Sequence, residues 1–177
     1  MFLNKQTIKS NNDLLKYNLE DYLEKTKNFI SSFQDFNVKN IDGFNIIDES
    51  ISCEVGYKAR SGEFFVQHLV NQGVKEIVYV QPRVGFAGIS LSWLCKKYNL
   101  HLTLVMPSSK EVSDHQAYVI DQKPELVKFK RIAAMPNLNR IAKKYADLHG
   151  YEFLPFGLNH KYVIAGAVRV CQDLLEE

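Results

Sequence analysis

Apolar positions along this chain fall into two patterns, and the boundary between them lies near residue 73. From residue 76 onward, short continuous apolar runs alternate with stretches in which apolar residues recur every three or four positions. Glu76-Ile77-Val78-Tyr79-Val80 is a near-continuous run, as expected of a parallel strand buried on both faces. A second strand is predicted over Leu102 to Met106, stopped by Pro107, and a third over Leu126 to Ile132, where lysines interrupt the run. Tyr151 to Leu154 gives a fourth. Between and after them the helical spacing predicts helices at 88–98, 109–120, 136–149 and 162–175. Lys96 and Lys97 fall at the carboxyl end of the first, where the helix dipole favours cations. Ser108 or Ser109 caps the second, and Pro136 stands near the first turn of the third, which Gly150 ends. Strands alternating with helices predict an α/β fold: a three-layer, four-stranded, mainly parallel sheet flanked by helices, with right-handed crossovers.

Upstream the pattern is helical or irregular. A helix is predicted over 13–35, capped by Asn12 or Asp13, with Leu14, Leu15, Leu19, Tyr22, Leu23 and Ile30 at helical spacing. Residues 37–48 are turn-rich, with Asp42-Gly43 as a breaker, and 46–55 reads as a short extended segment. A further helix over 60–72 turns Phe64, Phe65, His68 and Leu69 inward and ends at Gly73. The chain thus divides into an N-terminal helical arm, residues 1–45, and an α/β domain, residues 46–177. The stripe Leu19, Tyr22, Phe29 and Phe33 seats the arm on the sheet or on a partner.

Composition narrows the function classes. The chain has 177 residues, 46% hydrophobic, enough for one domain with a real core. Lys plus Arg is 22 and Asp plus Glu is 20, a net charge of +2, which gives no electrostatic case for nucleic acid or a membrane surface. Lys110, Lys123, Lys128, Lys130 and Arg131 read as a solvated face. No apolar run approaches the roughly 18 residues of a membrane span, and Met1 to Asn12 is polar without a signal-peptide core. Cys53, Cys95 and Cys171 are odd in number and widely spaced, so neither a disulfide framework nor a zinc site is expected, and the setting expected is cytoplasmic. Cys95 and Cys171 lie in predicted helices as core thiols, and Cys53 reads as packing. His68, His101, His115 and His149 show no metal-like clustering, so no metal is expected; His160 follows the last strand, at the carboxyl edge where ligands of open α/β sheets bind. Ser90 and Ser92 lack the strand–turn context of a hydrolase nucleophile.

Two segments carry candidate chemistry. Gly56-Tyr57-Lys58-Ala59-Arg60 places Lys58 on a short loop opening a helix that contains Phe64 and Phe65. An amine that attacks an aldehyde works in its neutral form, which a desolvated pocket favours. Alone, the segment reads as a solvated loop rather than a site. Val84-Gly85-Phe86-Ala87-Gly88 lies between a strand and the next helix. Such a turn offers helix N-terminal N–H groups to a carboxylate or phosphate, with Gly85 permitting positive φ and Gly88 permitting close approach. Alone, it reads as strand-to-helix punctuation rather than a site.

Taken together, these segments resemble the fold-type-II pyridoxal-phosphate enzymes, the family of cysteine synthase, threonine synthase, the tryptophan synthase β subunit and aminocyclopropane carboxylate deaminase. The resemblance rests on Tyr57-Lys58-Ala59-Arg60, Val84-Gly85-Phe86-Ala87-Gly88, Val105-Met106-Pro107, Leu154-Pro155-Phe156 and Ile164-Ala165-Gly166, in order and in register over residues 46–177. It implies pyridoxal phosphate as cofactor, Lys58 as the catalytic residue that attaches it, a cofactor-ring position at Phe86, and a substrate-carboxylate site at Gly85, Ala87 and Gly88. It implies an amino-acid lyase, deaminase or β-replacement enzyme. Two departures stand out. Phe86 replaces the family asparagine that contacts the ring hydroxyl, and Val84 replaces the preceding serine. The chain also matches only the first half of the family's length, so a second polypeptide or another copy is expected to complete the site. An exposed apolar surface on the 162–175 helix and the arm, and hence a homo-oligomer or a partner, follows from that expectation. The alternative is a catalytically inactive remnant acting as a protein-binding or small-anion-binding module.

Overall fold

The computed structural model describes residues 18–33, 36–53, 55–107, 111–122, 127–132 and 135–176. Its centre is a four-stranded sheet of β3 (Glu76–Val80), β4 (His101–Pro107), β5 (Val127–Ile132) and β6 (Glu152–Leu154), in the spatial order β5-β4-β3-β6. Every neighbouring pair is parallel, with Ile77 opposite Leu102 and Glu152, and Leu102 opposite Val127. The strands form where the continuous apolar runs predicted them, because both faces are covered. One face carries Ile77, Tyr79, Leu102, Leu104 and Met106 against Phe65, Leu69, Leu91 and Leu94. These helical residues belong to α3 (Tyr57–Asn71) and α4 (Ala87–Lys97). The other face carries Val78, Val80 and Val105 against Leu138, Ala142 and Ala146 of α6 (Met135–His149).

The chain visits the sheet as β3-α4-β4-α5-β5-α6-β6, with α5 at Asp114–Asp121. It works outward from β3 to β5, then returns across the other face to place β6 beside β3. That reversal makes the β3/β6 boundary the switch point of the sheet, and the crevice above its carboxyl end is the place such folds hold ligands.

Several boundaries differ from the sequence expectation, each for a local reason. Helix α5 starts at Asp114 because Ser113 and Gln116 form a reciprocal capping box; Ser108 and Ser109 lie outside the described residues. Residues 37–48, expected as turns, form an antiparallel hairpin of β1 (Val38–Ile41) and β2 (Phe44–Ile47). Asp42 and Gly43 take φ of 51° and 83°, the left-handed pair of a tight two-residue hairpin turn. The segment expected to be extended after residue 46 instead turns into a short helix, α2 (Glu49–Ser52). The long predicted N-terminal helix is described only as α1 (Leu19–Thr26), capped reciprocally by Asn18 and Asp21; residues 13–17 lie outside the described residues.

The last helix, α7 (Lys161–Glu176), packs Val163, Ala165, Gly166 and Val170 inward and is covered by α1 and α3. Its apolar face is therefore not the exposed surface expected of it. Leu175 at its end and Leu19 and Ile30 on the N-terminal segment are exposed, and further exposed apolar side chains lie on the hairpin, at Ile41, Phe44 and Ile46, and at the carboxyl edge of the sheet, at Val84, Phe86 and Phe156. Phe29 and Phe33 seat the N-terminal segment on helices rather than on the sheet: Phe29 meets Phe64 edge-on and Phe33 meets Trp93, each at 5.2 Å between ring centroids.

Candidate functional site

The carboxyl end of β3 runs into the glycine turn, and the turn is organised by a side chain. Gln81 is fully buried, and its own N–H continues the strand ladder to Val105 O at 3.0 Å. Its carboxamide reaches into the turn, where Nε2 donates to Gly85 O and Oε1 accepts from Gly88 N, each at 3.0 Å. Gly88 is a glycine for this reason: a Cβ there would lie 2.0 Å from Gln81 Oε1. Gly85 has a positive φ of 158°, as its place in the turn led us to expect, a conformation L side chains rarely adopt; a Cβ there would also stand 3.1 Å from Pro82 Cγ. The N–H groups of Phe86 and Ala87 have no partner among the described residues. They open the positive end of the α4 dipole onto the crevice.

Lys58 lies in the first turn of α3, one residue inside the helix rather than on the loop before it, and is exposed. The corner that precedes it is bonded to the glycine-turn helix. Ser90 Oγ, fully buried in α4, donates to Val55 O at 2.9 Å. Ala59 and Ala87, the first inward residues of the two helices, join one apolar cluster. The two candidate segments, far apart in sequence, thus meet at one edge of the sheet.

The setting of α3 is fixed by buried charge. Arg60, fully buried, donates from Nε to both carboxylate oxygens of Glu49, at 3.0 and 3.1 Å, and from its guanidinium to Phe33 O. It also lies over the Phe36 ring at 4.5 Å. One turn on, Glu63, also fully buried, accepts from Ser31 Oγ and Ser32 N at 2.9 Å each, from Tyr98 OH at 2.5 Å, and from Ser32 Oγ. Burial pushes its carboxyl up, but the bonds from Ser32, Tyr98 and Ser31 outweigh that and hold it below the usual range. Burial and the neighbouring Glu63 push the Tyr98 phenol up to about 12, so it stays a donor. On a third side, Gly166 of α7 lies where a Cβ would come within 2.2 Å of Ser61 O.

Phe86 is 57% exposed and meets the His115 ring edge-on at 4.8 Å. The loop it belongs to is tied to the start of α5 by Ser113 Oγ, which donates to Arg83 O. Across the crevice, Gly157 N donates to Tyr79 OH at 3.3 Å, fixing the turn after β6. His160, which the sequence places at this edge, points inward: it packs on Phe65 at 4.5 Å and its Nδ1 accepts from Tyr162 N at 3.2 Å. Burial, then the nearby Lys161, hold its imidazole down at about 4. It is a neutral core residue.

The other candidates disperse. His68 stacks on Tyr162, His149 on Tyr151, and His101 is exposed. No metal-holding cluster occurs among the described residues. Cys53 and Cys95 are buried, and burial pushes both thiols up. Cys171, expected in the core, is exposed because it falls on the outer side of α7. Lys130 rests over the Tyr145 ring at 3.3 Å; Lys110 and Lys123 lie outside the described residues. No described helix is long and apolar enough to cross a membrane. Gln81, Glu49 and Glu63 were missed by the sequence reading. The available signal for Gln81 was a polar residue ending an apolar strand, four and seven positions before two glycines.

No protein-family model matches the sequence, and no curated protein is similar to it. Solved structures do resemble it. Escherichia coli diaminopropionate ammonia lyase in its apo form superposes with a TM-score of 0.65 at 12% identity, over 92% of this chain and 52% of that one. An ACC deaminase homologue gives 0.68 at 14% identity, over 88% and 53%. A pyridoxal 5'-phosphate-dependent aspartate racemase gives 0.63 at 14% identity, over 97% and 52%. The chain spans about half the length of each. It has the fold of the fold-type-II pyridoxal-phosphate enzymes, the family its motifs resemble.

Proposed function

We propose that this chain binds pyridoxal phosphate and a small amino acid at the carboxyl edge of its sheet, as one wall of a lyase or deaminase site. The observation that carries this is the junction of the Lys58 turn with the Gly85–Gly88 turn through Ser90 and Val55, at the switch point of the sheet. The names of the structural neighbours, an ammonia lyase and a deaminase homologue among them, support the reaction class.

The residues fit the group at three points. Lys58 presents an accessible amine on the first turn of a rigid helix, suited to covalent attachment. The N–H groups of Phe86 and Ala87, without a partner among the described residues, suit the amino acid's carboxylate. Gly88 leaves room for the Gln81 carboxamide that shapes that turn, and Gly85 for the Pro82 ring beside it. Phe86 offers a ring face for stacking but no hydrogen bond. When bound, pyridoxal phosphate supplies an electron sink that weakens a bond at the amino acid's Cα. Lys58 Nζ is the amine assigned to hold or move the Cα proton, and Phe86 and Val84 exclude water from one side. Because Lys58 and Phe86 are exposed, a second surface closes over them, from a second polypeptide or another copy of the chain.

A second reading is a catalytically silent module binding a protein or a small anion. Phe86 favours it, because an exposed ring braced on His115 suits an apolar ligand as well as a cofactor ring. One experiment separates the two. Purified protein is mixed with pyridoxal phosphate, reduced with borohydride and mapped by mass spectrometry. A single adduct at Lys58, lost in Lys58→Ala and kept in Lys96→Ala and Lys161→Ala, is expected. Labelling scattered over surface lysines and unchanged by Lys58→Ala rules out the enzyme reading.

A further inference from the structure

We propose that Gln81 is the positioning residue of the glycine turn, the group that aims the Phe86 and Ala87 N–H groups at the ligand's carboxylate. This rests on the carboxylate assignment above. The turn needs two opposite things from one side chain. Gly88 N–H must be accepted, and Gly85 C=O must be given a proton, and both bonds are 3.0 Å long. Among side chains of this reach, glutamine carries a donor and an acceptor on one short planar group. Glutamate at neutral pH accepts only. It would set a carboxylate against the Gly85 carbonyl and put a negative charge beside the two N–H groups that receive the ligand.

The clamp also divides the labour of the α4 N-terminus. Gly88 N–H is used internally, and the donors of Phe86 and Ala87 have no partner among the described residues. The Phe86 N–H shares a trans peptide with the Gly85 carbonyl that Gln81 holds and so points away from it, and the Ala87 N–H lies between that peptide and the Ala87–Gly88 peptide, which Gln81 also holds. Gln81 is fully buried beneath the turn, so it acts through the backbone rather than on a ligand. Gly88 belongs to the same unit, since a Cβ there would overlap the carboxamide oxygen.

The test follows acetate binding by the amide signals of 15N-labelled protein at neutral pH, together with hydrogen exchange at Gly88. In the wild-type chain acetate should shift Phe86 and Ala87, while Gly88 exchanges slowly. Gln81→Met, which keeps length and apolar bulk without hydrogen bonds, should speed Gly88 exchange and weaken acetate about tenfold, the size of a lost hydrogen bond. Gln81→Glu should weaken it further, and its affinity for methanesulfonate, anionic at every pH used, should recover on acidification as the glutamate regains a donor. Gly88→Ala, which displaces the carboxamide without touching position 81, should reproduce the acetate loss. Unchanged acetate affinity in Gln81→Met, with Gly88 exchange accelerated, overturns the positioning role. If wild-type protein does not bind acetate at all, the carboxylate assignment fails. The clamp is then judged by exchange alone, and unchanged Gly88 exchange in Gln81→Met overturns it.

Discussion

Removing the Glu63 carboxylate should cost more stability than any other single polar change on α3. Four donors converge on it: the Ser31 and Ser32 hydroxyls, the Ser32 N–H and the Tyr98 phenol, with Lys97 Nζ at 3.4 Å. A hydrogen bond to a charged group is worth about 1.5–3 kcal/mol, but the serine hydroxyls lie near the surface and regain water, so the values do not simply add. Breaking a buried ionic network by removing one partner costs about 3–5 kcal/mol, and we expect Glu63→Ala to fall there. At about 2–4 °C per kcal/mol for a domain of this size, thermal unfolding should drop by roughly 6–20 °C. Glu63→Gln keeps one acceptor but turns an NH2 toward donors, and should lose about half as much.

The pH dependence gives the reasoning a second handle. The folded carboxyl lies below its ordinary value of 4.5, so the unfolded chain binds the proton more readily. The stability it contributes is complete above the ordinary glutamate range and is lost as pH falls through the lower folded value. The difference between wild type and Glu63→Gln, measured by urea unfolding, should be flat from pH 7 to 5 and shrink below about 4. A Glu63→Ala protein within about 1 kcal/mol of wild type at pH 7, or a gap unchanged at pH 3, would refute the account.

Two further outcomes follow from the packing. Gly166→Ala forces a Cβ to within 2.2 Å of Ser61 O, a backbone atom that cannot turn aside, so α7 must move off α3; a loss of about 2 kcal/mol or more is expected in denaturant unfolding, and a neutral result would mean the helices sit farther apart. His160 is held near 4 against an ordinary 6.5, so the unfolded chain takes up its proton first and stability should fall between pH 6.5 and 4; His160→Phe should flatten that part of the thermal-unfolding profile while leaving the Glu63 limb below it.

How far the sequence spoke depended on whether the signal was local. Glu76 to Val80 and Leu102 to Met106 were legible because a strand buried on both faces needs nothing but apolar residues. The hairpin was missed though its cue was present: Val38 to Ile41 and Phe44 to Ile47 flank Asp42-Gly43, the commonest two-residue hairpin turn. Asp42-Gly43 marks a turn in either case, and only the pairing of the runs on both sides of it distinguishes a hairpin from a loop. Lys58 and the glycine turn were legible as separate motifs, but not their junction, because a serine hydroxyl on a carbonyl 35 residues away leaves no mark on spacing. His160 was placed correctly in the chain and misjudged in direction, since the loop position says nothing of the Phe65 ring it packs on.

The placement of charge on α3 bears on the role proposed for Lys58. Lys58, Arg60 and Glu63 lie within two turns, yet only Lys58 is exposed. Arg60 is fastened to Glu49 and Phe33 O and lies over the Phe36 ring, and Glu63 is fastened to Ser31, Ser32 and Tyr98, so together they hold Ser31, Ser32, Phe33 and Phe36 against the helix. Buried charges tolerate little rotation, because a small turn of the helix strands them without partners in a poorly solvated interior. Pinning by two such groups and by the Gly166 contact therefore fixes the direction in which the first turn presents its amine. An apolar interface of equal area would hold α3 as firmly but less specifically, since apolar side chains repack across small shifts at modest cost. The N-terminal segment is thus part of what aims Lys58, although none of its side chains need touch a ligand.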